Sequence, residues 1–121
     1  MNINKLSELA YTQAKNKGFH EKEQSIAEML CLIHSEVSEA LEAIRNNRFT
    51  TDLKYVDGLK LKTEFKRNFE NKIKNTFEDE LADIVIRVCD LAGLKGIDLN
   101  THILNKLRYN QLRPIKHGKE F

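Results

Sequence analysis

The sequence predicts an all-α fold, a bundle of about four to five helices in a single domain spanning residues 1–121. Three observations predict it. Apolar residues recur at three- and four-residue steps over long runs, period-two alternation is hardly seen, and one proline and five glycines stand against 31% charged residues. A length of 121 residues suits one compact domain and is short for two ordinary ones.

Taken in order, residues 3 to 17 predict a first helix with Leu6, Leu9, Ala10 and Ala14 on one side, stopped by Gly18. Phe19 and His20 follow in a turn, where they either plug the end of a helical hairpin or stack on a nucleobase. A second helix runs from about Glu21 to Ile44, its broad stripe made of Ile26, Met29, Leu30, Ile33, Val37, Ala40, Leu41 and Ile44. Residues 46 to 60 lose the period and carry Asn-Asn and Asp-Gly turn signals, which predict an irregular excursion. Helical order returns with Phe65, Phe69, Ile73 and Phe77, broken near Asn75 and Thr76, and continues until Gly93 and Gly96. Asp98 or Asn100 then caps a last helix that reaches about Leu112, ahead of Pro114.

A formal net charge of +2 is too small to argue for a nucleic-acid binder, but the signs are segregated. Six acidic residues lie between Glu21 and Glu42 against Lys22 alone, whereas Ile103 to Phe121 carries Lys106, Arg108, Arg113, Lys116 and Lys119 against Glu120. Cys31 and Cys89 fall within helical runs without metal-ligand spacing and read as two buried thiols. The amino terminus has no signal-peptide pattern and no apolar run is long enough to span a bilayer, so a soluble, cytoplasmic protein is expected.

The informative stretch is Glu78 to Ala92, EDELADIVIRVCDLA, where acidic residues interrupt the apolar side of a helix marked by Ile73, Phe77, Leu81, Ile84, Val88 and Leu91. At roughly 100° per residue, Glu80 projects between Ile73 and Leu91, and Asp83 flanks the same stripe. Burying an ionised carboxylate is costly unless it is paired or bound to a metal, so both need a cationic partner. Glu36 and Glu39 on the second helix form another i, i+3 pair at the margin of an apolar stripe. Antiparallel packing would make the four carboxylates converge, and their repulsion calls for divalent cations. All-oxygen ligation suits Mg²⁺, with Mn²⁺ a possible substitute, rather than zinc or copper. A ferritin-like di-iron site would need Glu-x-x-His, which is absent: Cys31 precedes His34 by three residues and Leu99 precedes His102.

On the last helix Lys106, Tyr109, Asn110 and Arg113 fall at i, i+3, i+4 and i+7, on one face. A point charge, a guanidinium fork and two neutral hydrogen-bonding groups suit a polyphosphate carrying a sugar. The tail PIKHGKEF adds Lys116 and Lys119 around Gly118, able to close over a bound anion.

The runs E36-V-S-E39 and E80-L-A-D83, with their HSEVSEALEA and TFEDELADIVIR contexts and the closing K106-L-R-Y109-N110-Q-L-R113-P, resemble the ExxE…ExxD signature of the all-α nucleoside triphosphate pyrophosphatases, the MazG-like superfamily. The resemblance spans most of the chain. It implies Mg²⁺-dependent hydrolysis of a nucleoside triphosphate, a deoxynucleotide above all, to the monophosphate and pyrophosphate. It further implies that Glu36, Glu39, Glu80 and Asp83 form the catalytic metal site and that Lys106, Tyr109, Asn110 and Arg113 grip the phosphates. A homodimer or homotetramer, with helices of one subunit completing the bundle of another, is expected on the same ground. Forty residues separate Glu39 from Glu80, a longer interval than the usual pattern, so residues 46–76 read as an insertion. The alternative from another class is a non-catalytic metal-, nucleotide- or partner-binding helical module. Binding of nucleic acid by the basic tail ranks third.

Overall fold

The computed structural model describes residues 2–115. The fold is all-α: five α-helices and no strand occur among the described residues, namely α1 (Ile3–Asn16), α2 (Ile26–Arg45), α3 (Lys62–Lys72), α4 (Phe77–Lys95) and α5 (Leu99–Gln111), with a 3₁₀ turn at Leu53–Tyr55. None of these helices is long and apolar enough to cross a membrane. The chain divides into two compact units, Lys22–Val88 and Met1–Glu21 with the stretch from Cys89 onward.

In the unit Lys22–Val88, α2 starts five residues later than the apolar periodicity suggests. Ser25 sets the start through a capping box: its hydroxyl accepts from Glu28 N at 3.1 Å while its own N–H donates to the Glu28 carboxylate. At the other end Asn47 adopts a left-handed φ of 55°. Arg48 N then donates to Ala43 O and Asn47 N to Ile44 O, which satisfies the last carbonyls of the helix.

The excursion after α2 contains the 3₁₀ turn and α3, and its two ends are tied together. Phe77 N donates to Arg48 O at 2.9 Å, Arg48 Nε donates to Asn75 O at 3.1 Å, and the Thr50 and Thr76 hydroxyls lie 2.9 Å apart. The Phe49 and Phe77 rings meet edge to face with centroids 6.0 Å apart. Thr76 also starts α4, since its hydroxyl accepts from Asp79 N at 3.3 Å, so the break expected near Asn75 and Thr76 is a helix cap. Farther out, Asn68 Nδ2 donates to Tyr55 O and holds α3 to the 3₁₀ turn.

α2 is wider in its apolar face than the surface available to cover it. Met29, Ala40 and Ala43 are buried, whereas Ile26, Leu30, Val37, Leu41 and Ile44 stay about half exposed. On α4, Leu81 is likewise exposed while Glu80 is buried. Cys89 is fully buried, but Cys31 is exposed, which corrects the expectation of two buried thiols.

In the other unit, α1 ends as expected: Gly18 takes a φ of 86°, where a side chain would be strained, and Phe19 N reaches Ala14 O. Gly93 does not end α4. It lies inside that helix, where an added Cβ would stand 2.6 Å from Ser7 O and 2.7 Å from Tyr11 Cβ, so α1 crosses α4 at backbone contact distance there. Asp98, rather than Asn100, caps α5 by accepting from the Thr101 N–H and hydroxyl, and the Asn4 amide ties α1 to the same cap. These hydrogen bonds, the one from Asn4 foremost, hold the Asp98 carboxyl below the usual range.

Candidate metal centre

Two links fix the direction of α2 against α4. Arg48, just past the end of α2, bonds the first residue of α4, and Glu36, three turns back on α2, bonds Arg87, three turns along α4. The helices therefore run antiparallel, and the ExxE and ExxD runs lie between these two links. One carboxylate oxygen from each of Glu36, Glu80 and Asp83 lies within 4.8 Å of the other two. Glu36 and Glu80 are buried, at 7% and 4% exposure, and Asp83 is half-buried.

Glu39 stands outside this trio. It is exposed on α2, yet its carboxylate is close enough to Glu80 to repel it and to share a proton with it. While both are ionised they are acceptors only, and Glu80 Oε2 is left buried with no hydrogen-bond donor among the described residues. Burial, followed by the charges of Glu39, Asp83 and Glu36, pushes the Glu80 carboxyl up to about 7. Burial also raises Asp83, helped by Asp79, Glu36 and Glu39 and opposed by Arg87. A divalent ion held by the trio would offset the cost of burial and the mutual repulsion, because it supplies positive charge among the carboxylates. The residues present fit a hard ion: every ligand atom is a carboxylate oxygen, and no cysteine or histidine among the described residues belongs to the group.

The cluster has one internal cation that the motifs did not reveal. Arg87 Nε donates to Glu36 Oε1 at 2.7 Å. Its signal was present in the helical spacing, since Arg87 follows Asp83 by four residues and Glu80 by seven and so falls on the same face of α4. Glu78 turns away from the cluster; both of its oxygens accept from Thr50 N at 3.0 Å.

On α5, Lys106 Nζ and the Arg113 guanidinium lie 5.3 and 5.7 Å from the centroid of the Tyr109 ring, so these three side chains form one cationic and aromatic group. Asn110 is beside them in sequence and its Oδ1 is buried without a donor among the described residues. Lys116 and Lys119 lie outside the described residues. Of the two residues after Gly18, Phe19 is 65% exposed, whereas His20 is part-buried with Nε2 2.7 Å from Asp90 Oδ1 and its ring 5.3 Å from that of Tyr11. A scan of protein-family models gives no match to this chain, and neither a curated protein nor a solved structure matches it.

Proposed function

We propose that the chain is a Mg²⁺-dependent nucleoside triphosphate pyrophosphohydrolase of the MazG-like kind, converting a (deoxy)nucleoside triphosphate and water to the monophosphate and pyrophosphate in the cytoplasmic nucleotide pool. The observation that carries this reading is the buried Glu80, which has an oxygen without a donor among the described residues and offers an oxygen within 4.8 Å of carboxylate oxygens of Glu36 and Asp83. Glu36, Glu80 and Asp83 would hold the ion, with Glu39 alongside. Bound there, Mg²⁺ or Mn²⁺ neutralises phosphate charge and makes water a better nucleophile at neutral pH.

The protein's own groups supply binding and orientation. The resemblance assigns the phosphates to Lys106, Tyr109, Asn110 and Arg113, and the cationic pair around Tyr109 supports that assignment; Lys116 and Lys119 of the basic tail would add charge to the same grip. Phe19 is exposed and available to stack on a base, while His20 is committed to Asp90. A homodimer or homotetramer is part of the reading, supported by the half-exposed apolar side chains along α2.

The test is pyrophosphate and monophosphate release from a panel of canonical and modified nucleoside triphosphates, with Mg²⁺, with Mn²⁺ and with chelator. Metal-dependent release of both products supports the reading, and silence from folded protein removes it. The Arg87–Glu36 pair favours a second reading, a metal- or nucleotide-binding module without turnover, because it neutralises part of the cluster internally. That reading expects Mg²⁺ to raise the melting temperature while no triphosphate is cleaved.

A further inference from the structure

We infer that Arg87 is a resident counter-ion of the carboxylate cluster that opposes divalent ions, holding Glu36 until an ion takes its place. The inference rests on the metal-centre reading above. Its basis is the uneven way in which the cluster is satisfied. Glu36 has a charge-assisted hydrogen bond of 2.7 Å from Arg87 Nε, while the equally buried Glu80 has an oxygen with no donor among the described residues. Arg87 therefore serves one carboxylate of the trio and leaves another bare.

An ion drawn to Glu80 enters a group whose three ligand oxygens lie within 4.8 Å of one another. It then stands near a guanidinium already bound to one of those ligands. A divalent ion and a guanidinium about 5 Å apart would repel by more than a single charge-assisted hydrogen bond stabilises, even at an effective dielectric constant of about 20. Of the two side chains, that of Arg87 is 38% exposed and that of Glu36 10%, so the arginine has solvent to move into and the carboxylate does not. The position on α4 supports the same exchange: Arg87 is one turn beyond Asp83, on the same face of the helix. Each ion bound thus displaces an existing favourable contact, and ion affinity is set by the difference between two cations competing for Glu36.

The opposite role is that of an orienting residue, which would aim Glu36 at the ion and raise affinity. The two roles predict opposite signs. Mn²⁺ binding to the full chain without nucleotide, followed by the electron paramagnetic resonance signal of free Mn²⁺, separates them in wild type, Arg87→Met and Arg87→Lys. A counter-ion predicts that Arg87→Met binds Mn²⁺ roughly tenfold more tightly, has a lower melting temperature without ion, and gains more from added ion than wild type does. Arg87→Lys, which keeps the charge and loses the planar fork, shifts in the same direction by a smaller factor and provides the reading if Arg87→Met does not fold. Equal or weaker Mn²⁺ binding in the folded variants overturns the inference and leaves the metal centre standing. Absence of Mn²⁺ binding in wild type and variants alike overturns both.

Discussion

Thr50 donates its backbone N–H to both carboxylate oxygens of Glu78, at 3.0 Å each, across 28 residues of sequence. This contact closes the excursion between α2 and α4 close to the point where Phe77 N meets Arg48 O. Glu78→Ala should lower unfolding stability by about 1 kcal/mol, the usual net worth of an intramolecular hydrogen bond, and Glu78→Gln by less. Urea denaturation measures the loss, and Mn²⁺ affinity measured on the same samples should stay at the wild-type value.

Turnover should depend on the carboxylates that converge. Glu80→Gln and Asp83→Asn are expected to lower kcat/KM by at least about a hundredfold, as loss of a metal ligand does, with helical content preserved by circular dichroism. Glu39→Gln tests the exposed member of the pair. A loss as large as that of Asp83→Asn would place Glu39 among the ligands, and a loss below about tenfold would leave it beside them.

The raised Glu80 carboxyl gives the ion-free protein a pH dependence of defined sign. A carboxyl at about 7 in the folded protein and in the ordinary range when unfolded holds its proton more tightly when folded. Its contribution to stability is therefore fully present below the unfolded value and is lost as pH rises through about 7. In chelator, wild type should lose more stability than Glu80→Gln between pH 5 and pH 8, and saturating Mg²⁺ should shrink or reverse that difference. Parallel melting curves for the two proteins across this range would refute the assignment.

Gly93→Ala should destabilise although alanine is the better helix former. The added methyl would stand 2.6 Å from the Ser7 carbonyl oxygen, a backbone atom that cannot swing aside, and 2.7 Å from Tyr11 Cβ. An overpacked contact of this kind costs about 1–3 kcal/mol, more than the helix-propensity gain of about 1 kcal/mol. A higher melting temperature for Gly93→Ala would mean that α1 moves away from α4 at little cost.

His20 and Phe19 should separate in their effects. His20→Ala removes the partner at 2.7 Å from Asp90 and should cost about 2 kcal/mol, because the part-buried carboxylate is left without its hydrogen bond. Base preference should be unchanged. Phe19→Ala should leave stability within about 0.5 kcal/mol, as exposed positions do, and any role in base stacking would show as a raised KM that differs among nucleotides.

The sequence by itself determined the helices and most of their ends. Apolar residues at three- and four-residue steps, Gly18 and Asp98 act locally, through one turn of backbone, and local rules reach that far. The same spacing set Glu36, Glu39, Glu80 and Asp83 beside apolar stripes, where acidic residues are conspicuous; Glu36 and Glu80 are buried and Asp83 half-buried, whereas Glu39 is exposed. Tertiary structure alone decided which groups meet. Arg87 lies on the same face of α4 as Glu80, but only the antiparallel approach of α2 gives it Glu36 as partner. That approach brings Glu36 into the trio and leaves Glu39 exposed, because residues three apart on a helix differ by roughly 60° in direction and one neighbouring helix cannot cover both. Gly93 looked like a helix end and is instead the crossing point of α1 and α4, a distinction that depends on Ser7 and Tyr11, more than eighty residues away in sequence.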